Sequence, residues 1–319
     1  MNPSPTQDSP AGERPSSPDR LFRPRRRFLT DVLGLGAVGA AGLAASGVAA
    51  RAQTAAPPVN DPALLNFALN FDYLVSEYAT LGATGQTIED LGIPCYGLNT
   101  GAGNPGKLTV KGSPKVPFAT AATAQIANEL AVQEQRHVVF LRNTLLAFGA
   151  QPAARPALDL LNSFNTLAAA AGLPTPFDPF ANEVNFLLGT FILEDVALTA
   201  LHGAAPLLKN KDVIFAAAGL LGIEGYHSAV IRTNLFQLGQ GPATDLIAAL
   251  RVKLGDSVDY GVDNGPLGAG PKGTASIALA DANALAPSRT TRQVLNIVYG
   301  AVNAASGGFF PNGLNGPIR

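Results

Sequence analysis

The amino-acid sequence predicts an all-α protein built on a four-helix bundle, and three observations carry that prediction. Long segments place apolar residues every three or four positions, the period of one helix face. No segment sustains the alternating pattern of a half-buried strand. Gly- and Pro-rich stretches separate the periodic segments, and such stretches end helices and open loops. With 319 residues, 47% hydrophobic and only 14% charged, the chain has ample apolar surface for a large core.

The first long helix is read from Asp61-Pro62, with Asp61 as cap, to about Leu81. Residues 83–118 then form a long loop. The second helix runs from about Thr120 to Phe148 and stops at Gly149. A shorter helix is expected over Arg155–Ala171, ended by Gly172 and Pro174. The third long helix spans about Asn182 to Leu208, and the fourth about Asp212 to Leu238. Short helices follow near 243–254 and 290–300. The expected organisation is a leader over 1–52, a bundle over 53–240, and a C-terminal extension over 241–319 packed on the bundle.

The leader has its own signature. Residues 1–24 are polar and rich in Pro and Ser, which predicts disorder. Arg25-Arg26-Arg27-Phe28-Leu29 resembles the twin-arginine export motif, and a weakly apolar Ala/Gly stretch follows from Val32 to Ala50. Small residues in Ala50-Arg51-Ala52 place a cleavage site after Ala52. That motif implies export of a folded protein to the periplasm or the extracellular space by the twin-arginine machinery.

Charge argues against a nucleic-acid partner. The net charge is −1, and residues beyond 52 carry 15 basic against 19 acidic side chains with no basic stripe. Cys95 is the lone cysteine, so no intrachain disulfide can form, and its loop setting offers no catalytic neighbour.

The chemistry lies on the apolar stripes. In the second helix Ala127, Leu130, Ala131, Val138, Leu141 and Leu145 share a face with Glu134 and His137. In the fourth, Ala217, Leu220, Leu221, Ile231 and Leu235 share one with Glu224 and His227. In the third, Glu194 lies among Leu187, Phe191, Leu198 and Leu201. An unpartnered buried carboxylate is costly, and three of them beside two imidazoles call for divalent metal ions. A Glu from each of two helices, with Glu-x-x-His from each of the other two, is the donor set of di-iron and di-manganese bundles. Together with the long crossover between the second and third helices, this matches the ferritin-like form of the bundle.

The first helix offers two candidates for the remaining carboxylate. Asp72 shares a face with Leu65, Ala68, Val75 and Ala79, and the register favours it. Glu77 lies with Asn66, Asn70, Tyr73 and Thr80 on a face that reads as solvated. The expected metal set is therefore Asp72, Glu134, His137, Glu194, Glu224 and His227, with two iron or manganese ions as cofactor. His202 is expected at a helix end or behind the ligands, and Tyr78 and Tyr226 in the core. No Gly-x-Ser-x-Gly or phosphate-binding glycine loop occurs.

Three segments resemble the desiccation-related proteins of plants and bacteria, a ferritin-like family. They are Leu65-Asn66-Phe67-Ala68-Leu69-Asn70-Phe71-Asp72-Tyr73-Leu74, then Gly222-Ile223-Glu224-Gly225-Tyr226-His227, and the tail. The tail comprises Arg292-Gln293-Val294-Leu295-Asn296-Ile297-Val298-Tyr299 and Gly307-Gly308-Phe309-Phe310-Pro311-Asn312-Gly313. The resemblance covers about 60–319, implies a role in drying or oxidative stress, and puts the family's usual Glu where Asp72 stands. Expected partners are metal ions with oxygen or peroxide, and a homo-oligomer is compatible with the sequence. An oxidase, ferroxidase or peroxide-consuming activity follows if the site turns over. A metal-free structural stress protectant is the alternative.

Overall fold

The computed structural model describes residues 60–97 and 103–319, so the leader and its cleavage site lie outside the described residues. Four long helices carry the fold: α1 (Asp61–Thr84), α2 (Ala121–Ala147), α4 (Glu183–Ala204) and α5 (Lys211–Gln237). The shorter α3 (Asn162–Ala171) lies in the crossover, and α6 (Gly241–Gly255) and α7 (Thr291–Tyr299) follow the bundle. Helix α1 packs chiefly on α2, α4 on α5, and α1 also meets α4. This is a mostly helical, ferritin-like architecture.

Local chemistry sets the helix ends. The Asn60 side chain accepts from Ala63 N and caps α1, one residue before the Asp61 expected there. Asp61 instead accepts from Lys209 N and Asn210 N, at 2.9 and 2.7 Å, and ties the start of α1 to the start of α5. Thr120, Asn182 and Asn210 cap α2, α4 and α5 through their side chains. The helix expected from Arg155 begins only at Asn162. Residues Leu158–Asp159 (β2) pair in parallel with Leu108–Thr109 (β1), and the extended backbone there stitches the first loop to the crossover.

The largest correction concerns α1. Its Glu77 face, expected in water, is buried, because loops and tail fold over it. Asn66 donates to Gln151 O and accepts from Ala153 N. Asn70 exchanges two hydrogen bonds with the Asn315 backbone. The Tyr73 hydroxyl accepts from Arg142 at 2.6 Å. Glu77 is ion-paired with Arg155 and accepts from Ile88 N at 3.1 Å. Asn66, Asn70, Tyr73 and Glu77 thus each find a partner, as burial demands. Cys95 is enclosed in the same layer, and burial pushes its thiol up to about 12.

The core runs through the bundle into α6, α7 and the tail. Tyr78 stacks on Phe186 at 5.2 Å and donates to Phe186 O at 2.8 Å. Such a ring contributes about 1.5–3 kcal/mol by burial. Gly189 permits this packing, since a Cβ there would stand 2.2 Å from the Tyr78 hydroxyl. In the tail, Gly308 adopts φ 48° and lets the chain pass so close to Val298 that a Cβ would meet its carbonyl at 2.4 Å. Phe309 and Phe310 are thereby driven fully into the core. Tyr226, expected in the core, projects outward and is 72% exposed on α5.

Candidate metal centre

Three helices bring five of the expected residues to one place. Helix α2 contributes Glu134 and His137, α4 Glu194, and α5 Glu224 and His227, all buried. The three-residue spacing stacks each Glu over its His on one helix face. The rings of His137 and His227 lie nearly parallel with centroids 5.9 Å apart. Each of the two central carboxylates reaches both rings. Glu134 Oε1 is 3.5 Å from His137 Nδ1 and 3.1 Å from His227 Nδ1. Glu224 is 3.2 Å from His137 Nδ1 through Oε1 and 3.9 Å from His227 Nδ1 through Oε2. Glu194 stands on the His227 side, 3.5 Å from its Nδ1. Among the described residues, Glu134, Glu194, Glu224 and His227 have ligand atoms all within 4.8 Å of one another.

Asp72 approaches the cluster from α1. It is half-buried on α1, and the charges it feels are those of Glu134, His137 and Glu224. Glu77 is absent from that neighbourhood, its carboxylate being committed to Arg155. His202 lies in the last turn of α4, its Nδ1 3.3 Å from Pro287 O.

The pocket is electrostatically unfinished. Glu134 Oε1, both Glu194 oxygens, Glu224 Oε2 and the Nδ1 atoms of both histidines are buried without a well-formed hydrogen bond. These are six of the eleven such atoms among the described residues. Without a proton or a cation between them, each of these groups would cost about 1–3 kcal/mol. Protons or cations must compensate them. Burial, reinforced by the Glu224 carboxylate, raises Glu194 well above the usual range, and burial with Glu134 does the same to Asp72. Burial opposes charge on His137 and His227, but their carboxylate neighbours win and push both rings up to about 11. Burial also opposes charge on Glu134, yet the two imidazoles hold it below its ordinary value. The mixed oxygen and nitrogen donors suit iron, manganese or zinc.

Sequence reasoning missed the groups that hold this cluster. Asp195, next to Glu194, accepts from Ser228 Oγ at 2.5 Å, from Arg232 at 3.0 Å and from Arg251 at 2.8 Å. Arg251 and Arg289 both bind Asp259. Only the adjacency of Asp195 to Glu194, and of Ser228 to His227, was visible in the sequence. Arg251, Asp259 and Arg289 come from the C-terminal extension and carry no local signal. Gln133 was also missed, and its Oε1 lies 2.6 Å from His227 Nε2.

The chain is similar to two known proteins and matches one family. Desiccation-related protein PCC13-62 of Craterostigma plantagineum is 31% identical over 277 residues, 81% of this chain and 84% of that protein. Ferritin-like catalase Nec2 of Nesocodon mauritianus is 28% identical over 274 residues, 80% of this chain and 83% of that protein. No solved structure matches the chain. The ferritin-like domain family matches residues 60–237, more than half of the chain and the whole of the four-helix core, and the chain belongs to that family.

Proposed function

We propose that this protein binds a di-iron or di-manganese centre, that it is exported, and that it acts in oxidative or desiccation stress protection. The observation that carries the reading is the set of six orphaned donor atoms converging between α2, α4 and α5. Glu134 and Glu224, each within reach of both imidazoles, would hold the ions together with Glu194, His227, Asp72 and His137. When bound, a pair of redox-active ions supplies two-electron exchange with oxygen or peroxide. The chain's own part is to bind, orient and shield. The carboxylates cancel cation charge, the imidazoles direct Nδ1 inward, and the apolar stripes limit water at the pocket. The relative named a catalase favours peroxide as co-substrate, and the relative named for desiccation favours the stress setting.

One observation favours a metal-free structural protectant. Raised acids at Asp72 and Glu194, beside two charged imidazoles, give the pocket a tolerable protonated form. Metal content decides between the readings. Protein supplied with iron and manganese should carry close to two ions per chain by mass spectrometry, and Glu224→Ala should lose most of them and melt at a lower temperature. A wild type without metal, melting with the mutant, leaves the protectant reading. Peroxide and oxygen consumption by the loaded protein then separates an enzyme from a metal-handling protein.

A further inference from the structure

One polar contact at the pocket lies outside the ligand set. Gln133 precedes Glu134 on α2, is half-buried, and reaches across to α5, where its Oε1 is 2.6 Å from His227 Nε2. Its Nε2 donates to Glu129 Oε1 at 3.1 Å, one turn back on the same helix. An ionised carboxylate only accepts hydrogen bonds, so the amide nitrogen faces Glu129 and the amide oxygen faces His227. The amide oxygen also only accepts, so His227 Nε2 carries a proton. In a neutral ring that leaves the lone pair on Nδ1. Nδ1 is the atom 3.1 Å from Glu134 and 3.5 Å from Glu194.

We propose that Gln133, oriented by Glu129, is a positioning residue that locks His227 with its proton on Nε2 and aims the Nδ1 lone pair at a cation held with Glu134, Glu194 and Glu224. The inference rests on the metal-site reading above. The amide fixes the ring without adding charge to a pocket that already holds several acids. The orienting charge sits one turn away on Glu129, at the exposed surface, where water screens it. Outer partners of this kind typically change metal affinity by about 10–100-fold when removed.

The test uses the full chain loaded with zinc, whose lack of unpaired electrons permits nitrogen NMR of the histidine rings. Zinc affinity is measured by chelator competition for wild type, Gln133→Leu, and the exchange variant Glu129→Gln/Gln133→Glu. The exchange keeps both hydrogen bonds but places the carboxylate against the ring and the amide one turn back. Expected are a loss of about tenfold or more for Gln133→Leu and near-wild-type affinity for the exchange. The His227 ring should be protonated on Nε2 in wild type and exchange variant. If wild type binds neither zinc, iron nor manganese, the metal reading fails and this inference with it. If wild type binds and Gln133→Leu binds equally well, this inference alone is overturned. Should Gln133→Leu not fold, the exchange variant decides, and a tenfold loss there overturns the positioning role of Gln133.

Discussion

Glu134 and Glu224 each face two imidazoles, so no protonation state of a single residue describes the pocket. The two histidines set its response to pH. An unfolded histidine titrates near 6.5, and both rings are pushed up to about 11 in the metal-free fold. A cation with a raised folded value stabilises fully below 6.5, and that stabilisation drains away as pH climbs through 11. Melting scans of stripped protein should therefore fall across that window. Metal-loaded protein should fall less, because the bound rings have already given up the Nδ1 proton. A flat profile for stripped protein would contradict the charged-imidazole picture. The two acids of α1 should also separate. Asp72→Ala should lower metal content, and in stripped protein it should cost little stability. Glu77→Ala should keep metal but cost about 3–5 kcal/mol in denaturant unfolding, because it strands the Arg155 charge. The reverse pattern in metal content would reassign the first-helix ligand.

Helices α4 and α5 are held in register at the site by ions rather than by apolar contact alone. Asp195 and Ser228 bond one residue beyond Glu194 and His227, and Arg232 and Arg251 close the network. All four are buried, so removal of one partner leaves uncompensated charge. Asp195→Ala should lower unfolding stability by about 3–5 kcal/mol. Lys272→Met, which breaks the bridges of a 62% exposed side chain to Asp245 and Asp263, should change it by less than about 1 kcal/mol. Similar losses for both would mean that the buried network is not what holds the two helices. On its outer side α5 leaves Phe215 83% exposed, while Val213, Ile231 and Leu235 are buried on its inner face beside Glu224 and His227.

At the scale of the molecule, the described residues, 60–97 and 103–319, lie in one compact unit. The segment after the bundle is woven into the core. Arg289 donates to Thr199 on α4, Phe309 stacks edge-on against Phe164, and Asn315 pairs with Asn70 on α1. A protein whose tail completes its first helix must have its whole chain available to fold, which suits the proposed export of a finished molecule. Changing Arg25 and Arg26 together to Lys should leave precursor inside the cell, as read by fractionation and immunoblotting. Normal export of that variant would end the twin-arginine reading.

The sequence by itself determined the helices and the chemistry placed on them. A 3.6-residue period is local, so Glu134, His137, Glu194, Glu224 and His227 could be assigned to inward faces before any fold was known. Cap chemistry is also local, and it missed α1 by one residue because Asn60 and Asp61 are both competent caps. Only the tertiary structure decided what covers each face. The Glu77 stripe looked solvated because its partners Arg155, Gln151, Ala153 and Asn315 lie 78 to 245 positions along the chain from the residues they bond. The helix read from Arg155 failed for a related reason, since residues 155–160 bond to the first loop instead of to themselves. Burial of a polar face is settled by whichever distant segment can satisfy its hydrogen bonds, and no periodicity within the face itself records which segment that is.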